Sequence, residues 1–391
     1  MWHPKLVVLQ PTPYCNIRCD YCYLRHRDDR TVMGAEVVRA IRDKIIVNIA
    51  PDAAPTIIWH AGEPTVVSLD WYRQAYGQLR PAAPIETRFS LQSNGVFLSE
   101  DWISFLKETD THIGLSIDGP RELHDLRRKT RSGKGTWAHA IRTLRKLQDA
   151  GIDPSVVSVL HPNSLTEANE YFEFYRDNAI THVSFSIDEA EGAHEVSSFA
   201  YADHKAAITD FLFQLLRRAF AEQYPLHIKE VERIADVLTN GALHNEQIEP
   251  WDVIVVGADG GVTTFSPEFT EIRSREHNDF RFGNVLRHDF EALVTNPMVA
   301  ATRAQIANGI ERCRTRCGYF AICGGGAPAN KFQETGSLEA TETVFCRLSI
   351  QATADALRAF LEWSAASCAG GQMGLHRAGG AESVQPMGDL P

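Results

Sequence analysis

The sequence predicts an α/β fold on a parallel sheet, followed by a small loop-rich domain. Three observations predict it. Short apolar runs rich in β-branched residues alternate with longer helical stretches through the first half of the chain. Polar and cysteine-bearing loops follow the strands. Two groups of cysteines stand near opposite ends of the 391 residues. Six βα units in succession suit a doubly wound sheet or one curled into a partial (β/α)6 barrel of the TIM type.

Taken in order, the runs 6–10, 56–60, 88–92, 113–118, 155–160 and 182–187 read as strands. Helical patterns lie between them at about 34–49, 68–80, 99–109, 136–149 and 165–178. Ser99 is a start signal and Gly151 a stop. The Trp and Phe residues of 68–80 and 99–109 read as core rather than stacking platforms. Two further helices are expected at 202–222 and 227–240, then a hairpin over 252–265 around Asp259-Gly260-Gly261. The remainder to about 350 reads as loop held together by metal. The expected organisation is 1–240 for the barrel and its following helices, 241–363 for a cluster-binding domain, and 364–391 for a disordered Gly/Ala/Ser-rich tail.

Hydrophobic residues make up 44% of the chain and charged ones 23%, enough apolar surface for a large core. Fifty acidic against 39 basic side chains leave a net charge of −11, which repels phosphate backbones and argues against a nucleic-acid partner. No apolar run reaches membrane-spanning length and the first residues carry no secretory h-region. A cytoplasmic protein with no membrane partner is expected, and reducing conditions there turn clustered cysteines towards metal or catalysis rather than disulfides.

Those cysteines are Cys15, Cys19 and Cys22, then Cys313, Cys317, Cys323 and Cys346, with Cys368 alone; residues 23–312 contain none. Cys15-x3-Cys19-x2-Cys22 offers three thiolates. A 4Fe–4S cluster takes one ligand per iron, so three leave one iron open, whereas structural zinc closes on four. Cys313-x3-Cys317-x5-Cys323 with Cys346 offers four, which closes a second cluster; zinc is the alternative there. Cys368 reads as a free thiol.

CNIRCDYC resembles the signature loop of the radical S-adenosylmethionine (SAM) enzymes, which settles the partial-barrel reading. The resemblance implies a 4Fe–4S cluster on Cys15, Cys19 and Cys22 whose open iron binds SAM. It also implies an external one-electron reductant and a 5′-deoxyadenosyl radical that abstracts hydrogen. Ala61-Gly62-Glu63-Pro64 is similar to the GGEP motif that holds the SAM amino group, with Ala61 replacing a glycine. Ser93, Asn94 and Ser116 resemble positions contacting the SAM ribose or carboxylate. Arg128 matches the arginine pairing with that carboxylate, and Tyr21 an aromatic whose backbone lies beside the adenine. Taken singly, these side chains also suit turns or solvated charge.

CGGGAPANKFQETGSLEATETVFC resembles the auxiliary-cluster domain called SPASM, which implies a 4Fe–4S cluster on Cys313, Cys317, Cys323 and Cys346. Members with the full domain carry two auxiliary clusters. Here Ser266 and Ala327 stand where further cysteines would be, so one is expected. With LVVLQPTPYCNIRCDYCYL, SIDEAEG and FSPE, the chain over about 5–350 is similar to GrrM-like cyclophane-forming peptide maturases. That resemblance implies a precursor-peptide substrate in which an aromatic ring carbon is joined to the Cβ two residues on. Restoring aromaticity calls for a base. Glu268, Glu189 and Glu191 are the candidates by loop position, with Asp188 another, although solvent-facing acids are the ordinary reading of each. Fourteen residues before Cys15 leave no room for a fused leader-binding domain, so a separate leader-binding protein is a candidate partner.

Other readings stay open. LSIDGP…GKGTW is shared with anaerobic sulfatase maturases, which oxidise a Cys or Ser to formylglycine. Thioether formation is a near variant. An iron–sulfur redox sensor or scaffold is the non-enzyme alternative, against which the Gly-Glu-Pro loop and Arg128 speak.

Overall fold

The computed structural model describes residues 1–241, 243 and 245–369. The barrel region begins with β1 (Leu6–Leu9), β2 (Ile17–Cys19), α1 (Ala35–Lys44), β3 (Thr56–Trp59), α2 (Leu69–Leu79), β4 (Arg88–Ser93), α3 (Glu100–Glu108) and β5 (Thr111–Ser116). It continues through α4 (Arg121–Arg127), β6 (Arg128–Thr130), α5 (Trp137–Asp149), β7 (Ser155–Leu160), α6 (Ala168–Asp177) and β8 (His182–Ile187). Then come α7 (Lys205–Ala221), β9 (His227–Ile228), α8 (Lys229–Asn240) and the strands β10 (Val253–Val256), β11 (Gly261–Thr264) and β12 (Gly283–Asn284). Helices α9 (Phe290–Val294), α10 (Pro297–Arg316), α11 (Phe320–Cys323), α12 (Pro328–Thr335) and α13 (Ala352–Ala369) complete the chain.

Among the described residues, ten strands form one sheet in the order β12-β11-β10-β1-β3-β4-β5-β7-β8-β9. The pairs from β10 through to β9 are parallel, while β10–β11 and β11–β12 are antiparallel. The end strands β12 and β9 do not meet, so the barrel is not closed. Val7, Val8 and Leu9 of β1 are all buried, as an unbroken apolar run must be in a strand covered on both faces. Ser99 caps α3 by accepting from Trp102 N at 3.4 Å, and Gly151 leaves α5 at φ +75°. Trp102 and Phe105 are in the core, as read from the sequence, and pack edge-on with Tyr72 and Tyr76.

Three features differ from expectation. A two-stranded antiparallel ribbon, β2–β6, is set beside the sheet. The stretch expected to be loop contains the 20-residue helix α10, started by Asn296, whose side chain accepts from Met298 N at 2.8 Å, with Pro297 in the first turn. And α13 continues to Ala369, so 364–369 are helical; the rest of the expected tail, 370–391, lies outside the described residues. Among the described residues no helix is long and apolar enough to cross a membrane.

Candidate functional site

The parallel strands deliver their following loops to one rim, and the first cysteines stand there. Cys15, Cys19 and Cys22 are half-buried and unpaired. The β2–β6 ribbon sets Cys19 directly opposite Arg128. Arg128, only 7% exposed, places Nη1 3.7 Å from Cys19 Sγ and donates from Nε to Asp118 Oδ2 at 3.1 Å. The same oxygen accepts the Tyr21 hydroxyl at 2.6 Å, and Oδ1 accepts Val159 N at 3.1 Å. Burial pushes the Asp118 carboxyl up, but Arg128, His124, the Tyr21 hydroxyl and the Val159 amide together outweigh it and hold the group below its ordinary value. Arg128 is thus a buried ion-pair member, a partner the sequence did not assign it.

Glu63 is fully buried and organises the neighbouring loops. Its Oε1 accepts Thr65 N (3.0 Å), Thr65 Oγ1 (2.6 Å) and Ser93 Oγ (2.9 Å); Oε2 accepts Asn94 N (2.8 Å). Burial still raises its pKa, and those hydrogen bonds limit the rise. Asn94 reaches the cluster loop, with Nδ2 2.7 Å from Asn16 Oδ1 and 3.8 Å from Cys15 Sγ. Ser116 lies one strand away and accepts Gln92 Nε2 at 2.9 Å. Gly62 cannot be replaced: at φ +66° its Cβ would fall 2.2 Å from Thr12 O. Ala61 adopts φ +67°, so the methyl that replaces the motif's glycine sits in a left-handed backbone.

These residues fit the implied group. Three thiols lie near one another beside Arg128 and Asn94, with the buried Glu63 carboxylate bonded to Asn94, a donor set that suits an iron–sulfur cluster and an amino acid beside it. Burial, with Glu63 second, pushes the Cys15 thiol up to about 12, and burial does the same to Cys19. Such thiols become thiolates when iron replaces the proton. Among the described residues no three His, Cys, Asp or Glu side chains converge on a single metal-ion position, whereas a cubane spreads its ligands.

The second cysteine group surrounds a cavity of about 180 Å³ lined by Cys313, Cys317, Cys323 and Cys346, together with Gly325 and Gly326. Cys313 comes from the last turn of α10 and Cys323 from the end of α11. Lys331 Nζ stands 3.5 Å from Cys313 Sγ. A hydrogen bond from Cys346, aided by the Gly325 and Gly326 amides, brings Cys323 down to about 6. Four thiols around one cavity fit a closed cluster. Ser266 is buried and donates to Glu268 Oε2, and Ala327 is buried at the start of α12.

The three candidate bases, scattered in sequence, are brought together. Glu189 and Glu191 follow β8, Glu268 follows β11, and Asn330 of α12 donates to Glu189 Oε2 and to Glu191 Oε1, the latter at 3.3 Å. Burial raises Glu189 to about 8, against hydrogen bonds from Glu191 and Asn330 that pull it down, and burial followed by the charge of Glu189 raises Glu191 well above the ordinary carboxylate range. Glu268 is likewise raised by burial. Tyr23 lies in the same field, its hydroxyl pushed well up by burial and then by Glu268 and the nearby Cys22. Gly192 at φ +51° lets this loop lie on Tyr23, where a Cβ would meet Tyr23 O at 2.4 Å. Asp188 faces elsewhere, between His161 (3.4 Å) and His194 (2.7 Å). Sequence reasoning quoted Asp118 and Asn330 inside motifs without assigning them roles, since neither has a spacing that announces its partner.

The family model described as the radical SAM superfamily matches residues 9–175. The uncharacterized protein sll1766 of Synechocystis sp. is 34% identical over 92% of each chain. The chain belongs to the radical SAM superfamily. A radical SAM enzyme of this kind carries a SAM-binding 4Fe–4S cluster and, here, an auxiliary cluster. The serine-type anaerobic sulfatase-maturating enzyme of Bacteroides thetaiotaomicron is 21% identical over 88% of this radical SAM chain and 87% of its own. The solved structure of native anSMEcpe with bound AdoMet and Cp18Cys peptide superposes with TM-score 0.74 at 19% identity, over 94% of this chain and 99% of that one, and shares the fold.

Proposed function

We propose that this radical SAM enzyme is a peptide maturase that joins an aromatic ring carbon to a Cβ in a ribosomally made precursor peptide. SAM held on the three-cysteine cluster supplies, once reduced, a 5′-deoxyadenosyl radical. The chain's own residues do the rest. Glu63 meets the SAM amino group through Oε2, which has one protein partner against three on Oε1. Arg128, pinned by Asp118, offers its guanidinium to the carboxylate. Ser93, Asn94 and Ser116 line the adjoining strand ends, and Tyr21 closes the side towards His161.

One observation carries the reading: Glu189, Glu191 and Glu268 converge beside Tyr23, next to Cys22, with Glu189 and Glu191 both held by Asn330. After a Cβ radical adds to an aromatic ring, aromaticity returns only when a proton leaves to a base and an electron leaves to an acceptor. The latter part is proposed for the auxiliary cluster on Cys313, Cys317, Cys323 and Cys346. A carboxylate whose pKa has been lifted towards neutrality is suited to take that proton. Asn330 reaches the pair from the cluster-bearing half of the chain, next to Lys331, whose ammonium stands 3.5 Å from Cys313 Sγ. Residues 1–240 and 241–363 are proposed as the two functional units, and an external one-electron reductant and a separate leader-binding protein as partners.

The test is direct. The reduced enzyme, SAM and a candidate precursor should yield a two-hydrogen mass loss per crosslink, localised by fragmentation to an aromatic-x-x triplet. The sulfatase-maturating relative favours a second reading, oxidation of one Cys or Ser on a protein to an aldehyde. An aldehyde on a single residue would establish it, and a Cys-to-Cα linkage would establish thioether formation.

A further inference from the structure

His161 follows the last residue of β7 and is 4% exposed, yet neither ring nitrogen has a well-formed hydrogen bond. A buried imidazole left in that state is costly, and such orphans mark a partner that folding alone does not provide. Its surroundings point to that partner. On one side the ring lies against Tyr21, centroids 5.3 Å apart, and Tyr21 sits between two cluster cysteines. On the other, Asp188 places Oδ2 3.4 Å from Nδ1, and Ser198 N fixes the same oxygen at 2.9 Å. Burial raises Asp188, but His161 and Ser198 outweigh it and bring the carboxyl to about 2, so it stays charged.

An anionic Asp188 at Nδ1 keeps a proton on that nitrogen, which leaves Nε2 with its lone pair as an acceptor. The 3.4 Å separation is long, as is common for such contacts before a ligand tightens them. Donors near Tyr21 must come from what binds the three-cysteine site. In SAM the amino and carboxylate groups already face Glu63 and Arg128, so the remaining donors belong to the adenine amine and ribose hydroxyls. We infer that His161, held in its Nδ1–H tautomer by Asp188, accepts a hydrogen bond from the adenosyl part of bound SAM. His161 is a binding residue and Asp188 a positioning residue. This rests on the SAM reading of Cys15, Cys19 and Cys22.

Binding, not turnover, tests it. The anaerobically reconstituted full chain is titrated with SAM and with S-adenosylhomocysteine, while iron content and cluster absorbance report that the site is intact. His161→Leu should weaken both ligands about tenfold or more, the cost of burying a donor without its acceptor. His161→Gln, which restores an acceptor, should recover part of the loss, and Asp188→Asn should fall between Leu and wild type. Affinities within twofold of wild type for iron-replete His161→Leu overturn the inference; should that variant lose iron, the same result for Asp188→Asn does so. A loss for SAM without a loss for S-adenosylhomocysteine also overturns it, by placing the contact on the sulfonium end. Wild-type chain that binds iron but neither ligand would sink the SAM reading itself.

Discussion

The two cysteine sites are built from opposite materials. Around Cys15, Cys19 and Cys22 the neighbours include the buried acids Glu63 and Asp118, with Arg128 as the near cation, and burial drives Cys15 and Cys19 up to about 12. Around Cys313, Cys317, Cys323 and Cys346 the neighbours are Lys331 and glycine amides. A hydrogen bond from Cys346, then the Gly325 and Gly326 amides, brings Cys323 down to about 6, while burial raises Cys313 and the Cys323 partner pushes Cys346 well up. In the second site one thiol carries charge with its neighbours' help. The first sets a buried acid, Glu63, and an arginine paired with a second acid beside its thiols, the arrangement that the proposed contacts with the ammonium and carboxylate of SAM call for. A scaffold that only stored electrons would have no use for that asymmetry.

The sharpest way to break the comparison is to remove one thiol from each site. Cys19→Ala should lose about four irons per chain and all 5′-deoxyadenosine formation. Cys313→Ala should lose a similar amount of iron yet still form deoxyadenosine while the peptide product fails. Iron analysis and chromatography of the nucleoside check both, and equal loss of deoxyadenosine in the two would erase the distinction.

Next is Arg128→Ala, which strands Asp118 as an unpaired buried charge and should cost about 3–5 kcal/mol in denaturant unfolding. The double change Arg128→Ala with Asp118→Asn should recover much of that stability while SAM binding stays weak.

The carboxylate pair sets a smaller, pH-dependent effect. Glu189 has a folded pKa of about 8, above its usual 4.5, so the folded state holds more protons than the unfolded one between those values. Stability therefore falls as pH rises from about 4.5 through 8. Glu189→Gln should flatten that slope in urea titrations and be relatively more stable at alkaline pH, with crosslinking slowed.

The smallest expected effect is Ala61→Gly. It relieves a left-handed alanine and should stabilise by roughly 0.5–1 kcal/mol, visible as a slight rise in Tm. Gly62→Ala, one residue on, should do the reverse and disturb the Glu63 loop, because Thr12 O occupies the space.

Much of this was legible in the chain. Six parallel strands lie within two residues of the expected runs, because buried β-branched stretches bounded by turns have few other uses. The cysteine sites declared themselves by spacing. What stayed hidden was short or relational. The ribbon that brings Arg128 to Cys19 has three-residue strands, too brief for any periodicity. Helix α10 was missed although Asn296 and Pro297 announce its start, since its polar and apolar residues wrap around without a clear stripe. Asn330 joins two glutamates roughly 140 positions earlier, and nothing in the order of residues foretells such a meeting. His161 belongs to no motif, and only the burial of ring nitrogens without a well-formed hydrogen bond singles it out.

The placement of β10 against β1 has a practical consequence. A fragment ending near 240 would leave the first strand with a bare row of amides and carbonyls along four apolar residues. Such halves should stick to one another rather than dissolve, so attempts to study the amino-terminal cluster by truncation would meet aggregates, and point substitution in the intact protein is the better route.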